Sequence, residues 1–136
     1  MKHRQTALKS IAIVVASLAA SSPSFADEQS EGQLAFNNNC RTCHSTDATD
    51  NRLGPNLHQI VGRKAGQAEG YDYSSSLAGA EFSWTADKLD AFIASPDAVV
   101  PGNNMKPYSG IDDAEVRRAI VSFLESDAKE EAGKKD

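Results

Sequence analysis

Two cysteines and a histidine stand together in the segment NNCRTCH, which covers residues 38–44, and the chain has no other cysteine. Two thiols one helical turn apart can each add across a vinyl group on the edge of a haem, and the adjacent imidazole then faces the iron. Cys-x-x-Cys-His is the attachment signature for c-type haem. The spacing therefore predicts one covalently bound haem c, held by Cys40 and Cys43, with His44 as an iron ligand.

Other uses of this motif make demands that the rest of the sequence does not meet. A thioredoxin-like redox pair belongs to a sheet with alternating helices, and no strand alternation is present. A zinc site requires a further pair of Cys or His ligands, and His58 is the only spare histidine once the N-terminal segment is removed. A disulfide between Cys40 and Cys43 would close a tiny loop and stabilise the fold little.

The opposite face of the iron needs a second ligand, or it stays open for chemistry. Beyond the N-terminal segment the chain offers one thioether, Met105, and one spare imidazole, His58. Met105 lies in a long proline-rich loop, and structureless segments of that length are usually functional. His58 follows His44 closely and would have to circle the ring. The inventory favours Met105 and leaves His58 as the alternative, although a methionine can also simply fill a gap in a core.

The first 26 residues have the organisation of a secretory signal peptide. A basic start precedes the apolar run from Ile11 to Ala20, and small residues lead to Ser24-Phe25-Ala26. An uncleaved anchor is the alternative, but a spanning helix needs roughly 20 apolar residues. We expect cleavage after Ala26, export to the periplasm of a bacterium, and a single mature domain over residues 27–136.

The charge of the chain bears on its partners. The formal charge is −5, and removal of residues 1–26, which contain three basic and no acidic residues, lowers it to −8. This balance argues against nucleic acid and anionic membrane surfaces as partners. Surplus acid can equally serve to keep an exported protein in solution.

The hydrophobic pattern predicts a small all-α domain with long loops. Thr85 is a candidate N-cap and Pro96 a helix end. Asp112-Asp113-Ala114-Glu115 resembles a capping box, and the apolar stripe after it is helical. The charged tail from Ala128 is expected to fray. The expected elements are a helix over 27–40, an irregular loop over 45–70, a brief helical turn over 74–80, a helix over 85–95, an irregular loop over 96–110 and a final helix after Asp112.

The order of motifs resembles that of class I c-type cytochromes of the mitochondrial and related bacterial cytochrome c branch. CRTCH is followed by GPNLHQIVGRKAGQAEGYDYS, a Trp, SPDAVVPGNNMKPYSGI and a closing helix, so the resemblance covers about residues 30–125. It implies a class I cytochrome c fold, in which long loops wrap around the haem. The N- and C-terminal helices would cross at Gly32 and Phe36 on the first and Ile120 and Phe123 on the last.

The resemblance also implies roles for individual residues. Met105 would be the second axial ligand opposite His44, and the Pro55 carbonyl would accept a hydrogen bond from the His44 ring and orient it. Carboxylates inside a protein need donors to offset desolvation. The residues that match those around the haem propionates are Arg63, Tyr71, Tyr73 and Trp84.

The chain departs from the family pattern at two positions near the expected sixth ligand. Phe92 stands where many relatives carry a Tyr that bonds the methionine sulfur, and Leu77 stands where an Asn is frequent. Both replacements remove polar groups, which puts the water network expected there in doubt.

With both axial positions filled, iron can change oxidation state with little ligand movement, and a thioether opposite imidazole raises its potential. We therefore expect a soluble, monomeric one-electron carrier, not an enzyme, that shuttles between larger redox complexes. The alternative is a haem protein with peroxidase-like or sensor activity through a labile sixth ligand. Asn39 precedes the motif and acids flank the loops, so we expect weakly charged or locally acidic docking to partners whose identity stays open.

Overall fold

The computed structural model describes residues 25–133, with side chains described over 31–130 and at Gly133. The predicted signal peptide covers residues 1–26; residues 1–24 lie outside the described part, and its last two residues, Phe25 and Ala26, open the first helix. Cleavage after Ala26 therefore stays a prediction. Within the described residues, no helix is both long and apolar enough to span a bilayer.

Five helices make up the regular structure of residues 25–133, and the prediction of an all-α protein is confirmed. Residues 25–133 contain no strand, and their strand-like pairing is limited to an isolated antiparallel bridge between Lys64 and Ser83. The helices are α1 (Phe25–Asn39), α2 (Ser75–Ala78), α3 (Ala86–Ala94), α4 (Pro96–Val99) and α5 (Ala114–Gly133).

Local capping explains where the later helices begin. The Thr85 side chain accepts a hydrogen bond from the Lys88 N–H at the start of α3, as its sequence position predicts. At α5 the cap is Asp113, whose carboxylate accepts from the N–H of Glu115 at 2.8 Å and of Val116 at 3.3 Å. The expected capping box started one residue earlier, at Asp112, and that register was wrong. The helix continues through Gly133 and so includes the start of the charged tail.

The prediction that residues 96–110 are irregular was wrong at their start. Pro96 follows the end of α3, but it also occupies the first turn of α4. A proline there needs no hydrogen-bond partner for its missing N–H, and its fixed φ suits a helix. The same residue therefore ends one helix and begins the next. Residues 101–110 are irregular, as expected, and include Met105.

The two long helices, α1 and α5, pack against each other, and α3 packs against α5. A Cβ added to Gly32 would lie 2.6 Å from the Ala119 carbonyl oxygen, so only glycine permits this approach of the two backbones. Beside it the rings of Phe36 and Phe123 are 5.3 Å apart. The crossing of the terminal helices is thus confirmed at the predicted residues, with Ile120 fully buried beneath it.

Candidate haem site

The Cys-x-x-Cys-His motif continues directly from the end of α1. The N–H of Cys40 donates to the Phe36 carbonyl at 2.8 Å, and the N–H of His44 donates to the Cys40 carbonyl at 2.9 Å. Phe36 is buried in the crossing of α1 and α5, so the motif is attached directly to this packed part of the fold. This one turn of chain brings two free, partly buried thiols and an imidazole together.

The Cys40 thiol lacks the lowered pKa of a redox-active thiol. Burial, and secondly the neighbouring Cys43, raises the pKa of Cys40 to about 12. Catalytic and redox-active dithiols have a lowered thiol pKa, since the thiolate is the reactive form. The surroundings of Cys40 have the opposite effect, which argues against the thioredoxin-like interpretation.

His44 is buried, and its ring is held from one side. Nδ1 lies 2.8 Å from the Pro55 carbonyl oxygen, the contact that the resemblance implies. A carbonyl can only accept, so Nδ1 carries the hydrogen and Nε2 of the neutral ring keeps a lone pair. Burial lowers the pKa of His44 and outweighs the opposing effect of the Pro55 hydrogen bond, which favours this neutral form. The ring is therefore in the state that binds a metal through Nε2.

Gly54 is a further residue that fits the His44 ring, although the sequence did not single it out. Its N–H donates to the Cys43 carbonyl at 2.8 Å, and an added Cβ would lie 2.3 Å from His44 Cε1. The backbone therefore passes directly against the imidazole. A glycine next to Pro55 was the available signal, because glycine permits such close approach.

The two candidates for the sixth ligand, Met105 and His58, have different surroundings. Met105 is partly buried and packs against the hydrophobic core, in the loop after α4. His58 Nδ1 lies 3.1 Å from the Thr46 carbonyl oxygen and 3.8 Å from a carboxylate oxygen of Asp127 on α5. The ring of His58 is thus engaged with polar partners between its loop and α5. This arrangement favours Met105.

Arg63 makes three internal hydrogen bonds, and one of its buried nitrogen atoms has no partner among the described residues. Its guanidinium donates to the Asn56 carbonyl at 2.7 Å, the Asn56 side chain at 3.2 Å and the His58 carbonyl at 2.9 Å. Its Nε–H is buried and has no partner among the residues that the structure describes. Burial lowers the pKa of Arg63, the cost of desolvating its charge. An unpaired, buried cationic donor of this kind requires an acceptor, and a carboxylate is suited to it.

Sequence reasoning missed the side chain that holds Arg63. Asn56 is 3% exposed, and its amide also donates to Asn51 Oδ1 at 2.9 Å and to the Ala48 carbonyl at 3.1 Å. It therefore joins Ala48 and Asn51 of the irregular loop to the arginine. The only sequence signal was its place directly after Pro55.

Of the other residues expected around the propionates, Tyr73 and Trp84 lie near Arg63. The backbone N–H of Trp84 donates to the Arg63 carbonyl at 2.9 Å, and the Tyr73 hydroxyl accepts from the backbone N–H of Ala68 at 3.1 Å. The Tyr73 hydroxyl keeps its own hydrogen to donate. Tyr71 packs edge-on against Tyr73, but its hydroxyl donates to the Leu53 carbonyl at 3.1 Å, so that hydrogen is already committed.

The two departures from the family pattern are both apolar in their surroundings. Phe92 is buried, and its ring lies 5.0 Å from that of Trp84 at an angle of 69°. Leu77, on α2, packs against the same core. Neither residue brings a polar side chain to this part of the site.

Comparison with known proteins decides the family. The family model described as Cytochrome c matches residues 29–127 of this chain. The chain belongs to the cytochrome c family. Cytochrome c2 of Rhodopila globiformis is 36% identical over 96 residues, which cover 71% of this chain and 90% of that protein. Cytochrome cH from Methylobacterium extorquens, a solved structure, matches with a TM-score of 0.65 and 33% identity, over 72% of this chain and 97% of that one.

A longer relative matches over part of its length. The c-type cytochrome cy of Rhodobacter capsulatus is 34% identical over 93 residues, which cover 68% of this chain. The chain spans about half of that relative, 46% of its length.

Membership of the cytochrome c family establishes a haem c bound covalently through the cysteine motif and a role in electron transfer rather than catalysis. Three features of the structure fit such a group. The two thiols lie one turn apart, and the neutral His44 ring keeps Nε2 for the iron. The buried Nε–H of Arg63 has no partner among the described residues and could donate to a propionate carboxylate. The residues present therefore fit a haem.

Proposed function

We propose that this cytochrome is a one-electron carrier whose haem is attached through Cys40 and Cys43 and ligated by His44 and Met105. The haem supplies an iron that changes oxidation state by one electron. The observation that carries the proposal is the hydrogen bond from His44 Nδ1 to the Pro55 carbonyl, since it prepares a buried, neutral imidazole for the iron. The protein's own contribution is to hold ligands, exclude water and place donors for charged groups.

Contacts within the fold hold the residues that are proposed to bind the haem. His44 is fixed from behind by Pro55 and Gly54, and Met105 packs against the apolar core. Arg63, Tyr73 and Trp84 would surround the propionates, and Tyr71, which packs against Tyr73, would support that ring. Little movement of these groups is needed when the charge of the iron changes, and this suits electron transfer.

We further propose that the chain is exported to the periplasm by its N-terminal segment and acts there as a monomer. Its partners would be larger redox complexes that donate or accept the electron. Two basic side chains, one near the cysteine motif and one next to Met105, are paired with carboxylates, which supports weakly charged docking. The pairs are Arg52 with Asp50 at 2.7 Å and Lys106 with Asp97 at 2.6 Å.

One spectrum tests the assignment of the ligands. The oxidised holoprotein at neutral pH should show the far-red charge-transfer band of a thioether bound to iron, and Met105→Ala should lose it. His58→Ala is the matched control and should keep the band. Absence of the band from the wild-type protein, or its loss in His58→Ala alone, would contradict the proposal. An open or exchanged sixth position would instead support the peroxidase-like or sensor alternative.

A further inference from the structure

The loop that carries Met105 is tied to the fold on both sides. On the far side the Tyr108 hydroxyl and the Ile111 N–H both donate to the Ile93 carbonyl at the end of α3. On the near side a single buried side chain, Asn103, connects the loop to α4; it is 4% exposed. The near side therefore depends on the orientation of one amide group.

The Asn103 amide is oriented by its partners. Its Nδ2 donates to Asp97 Oδ1 and to the Val100 carbonyl, both at 2.9 Å, and its Oδ1 accepts the Met105 N–H at 2.9 Å. An amide group has one donating and one accepting end. Since two acceptors hold the NH₂ end, the oxygen is turned to Met105.

Asp97 also reaches the chain on the other side of Met105. Its Oδ2 accepts from Lys106 Nζ at 2.6 Å. One carboxylate on α4 thus bonds the residue two before Met105 and the residue directly after it. Both side chains of this ion pair are more than half exposed, so the pair with Lys106 should be worth little by itself.

We propose that Asp97 is a positioning residue for Met105, acting through the Asn103 amide. The inference rests on the proposed function, in which Met105 is the axial ligand. Loss of the Asp97 carboxylate would leave only the Val100 carbonyl to hold the NH₂ end of Asn103, so the amide would turn more readily and release the Met105 backbone. The thioether would then leave the iron more readily, while the ties at Ile93 and the core under α3 would stay in place.

Displacement of the thioether by imidazole measures this effect in the oxidised holoprotein. We expect Asp97→Ala to raise the affinity for added imidazole about tenfold, the size expected for one lost hydrogen bond to a charged group. Asp97→Asn keeps an acceptor oxygen for Asn103 and should stay within about twofold to threefold of the wild type. Lys106→Met removes only the exposed ion pair and should stay within about twofold.

Equal imidazole affinity in Asp97→Ala and the wild type would overturn the proposal. Equal increases in Asp97→Ala, Asp97→Asn and Lys106→Met would also overturn it, because they would point to charge rather than to the oriented amide. Hydrogen exchange of the Met105 N–H in the wild-type holoprotein gives a check that needs no variant. Slow exchange supports the bond to Asn103, and exchange as fast as in an open loop refutes it.

The failure of this inference can be told apart from failure of the proposed function. If Met105 is not the ligand, the wild-type protein lacks the far-red band and Met105→Ala binds imidazole as the wild type does. If Met105 is the ligand but Asp97 does not position it, the band is present and Asp97→Ala alone has no effect.

Discussion

The carbonyl oxygen of Pro55 lies 2.8 Å from Nδ1 of the buried His44 ring. The residue before this proline, Gly54, passes so close to the other atoms of the same ring that a Cβ there would lie within 3 Å of Cε1, Nδ1 and Nε2. Two consecutive residues therefore fix the imidazole, one by a hydrogen bond and one by contact. A side chain at residue 54 would force the ring or the backbone to shift.

Gly54→Ala should therefore displace His44. We expect the free energy of unfolding of the holoprotein to fall by about 1–3 kcal/mol, the usual cost of overpacking. The reduction potential should shift as well, because the imidazole moves relative to the iron. Chemical unfolding followed by haem absorbance, together with a potentiometric titration, measures both. Gly133→Ala, whose added Cβ meets nothing within 4 Å, is the control and should be no less stable than the wild type. A stable Gly54→Ala with an unshifted potential would contradict the close packing.

Phe92→Tyr would restore a hydroxyl at a buried, apolar position next to Trp84. If this position reaches the Met105 sulfur, the O–H withdraws electron density from the ligand and favours the reduced iron. The potential should then rise by roughly 20–60 mV, a twofold to tenfold change in the one-electron equilibrium. Potentiometry of both proteins decides the matter. An unchanged potential would show that residue 92 does not reach the ligand.

Local signals predicted much of the fold. Thr85 caps α3, and the apolar stripe of the last helix packs as expected against Phe36 and Gly32. These features are encoded within a few residues or in one helical period. The helix α4 was missed because Pro96 was considered only as a helix end, although proline is equally suited to a first turn.

Long-range contacts could not be predicted in the same way. The N–H of Gln59, a residue with a left-handed φ of 48°, donates to Asp127 on α5 at 3.1 Å. The two residues are far apart in sequence, and neither residue type indicates that the other is its partner. The Asn56 contact with Arg63 is similar, since an asparagine after a proline has many possible partners. In contrast, the cysteine motif, Pro55 and Met105 were available from spacing and resemblance alone.

Tyr108 provides a test of the loop at alkaline pH. Burial raises the pKa of Tyr108 in the folded protein from 10.0 to about 12. Below about pH 10 the Tyr108 phenol is protonated in both the folded and the unfolded state, so its contribution to stability is fully present. Between about pH 10 and 12 the unfolded state loses this proton first, so the free energy of unfolding falls as pH rises. Tyr108→Phe should be about 0.5–1.5 kcal/mol less stable near neutral pH, through its lost hydrogen bond to Ile93.

The difference in unfolding free energy between the wild type and Tyr108→Phe should shrink as pH rises through about 10, because the variant has no phenol to ionise. Urea unfolding of both proteins across this range measures it, and ionisation of other tyrosines cancels in the difference. A difference that stays constant or grows with pH would contradict the assignment of the raised pKa to Tyr108.

Docking should depend weakly on salt. Because Asp50 and Asp97 engage Arg52 and Lys106, we expect the rate of electron transfer to an oxidase with an acidic face to change little, or to rise, as salt increases. Asp50→Asn frees Arg52 and should make the rate fall with salt, while Glu81→Gln removes the same charge away from this pair and serves as the control. Stopped-flow rates against ionic strength test this. A steep fall with salt for the wild type would contradict weakly charged docking.

The chain should need its haem to fold. Two of the helices, α2 and α4, have four residues each, and α3 has nine, lengths at which an isolated helix is marginal in water. Arg63 also keeps a buried donor unpaired within the described residues, which opposes folding until an acceptor is bound. The double variant Cys40→Ala, Cys43→Ala without haem should therefore show little of the helical circular dichroism of the holoprotein. Addition of haem should restore part of that signal, since the ring completes the core without the covalent bonds. A haem-free variant with the full helical signal would show that the polypeptide supplies its own core.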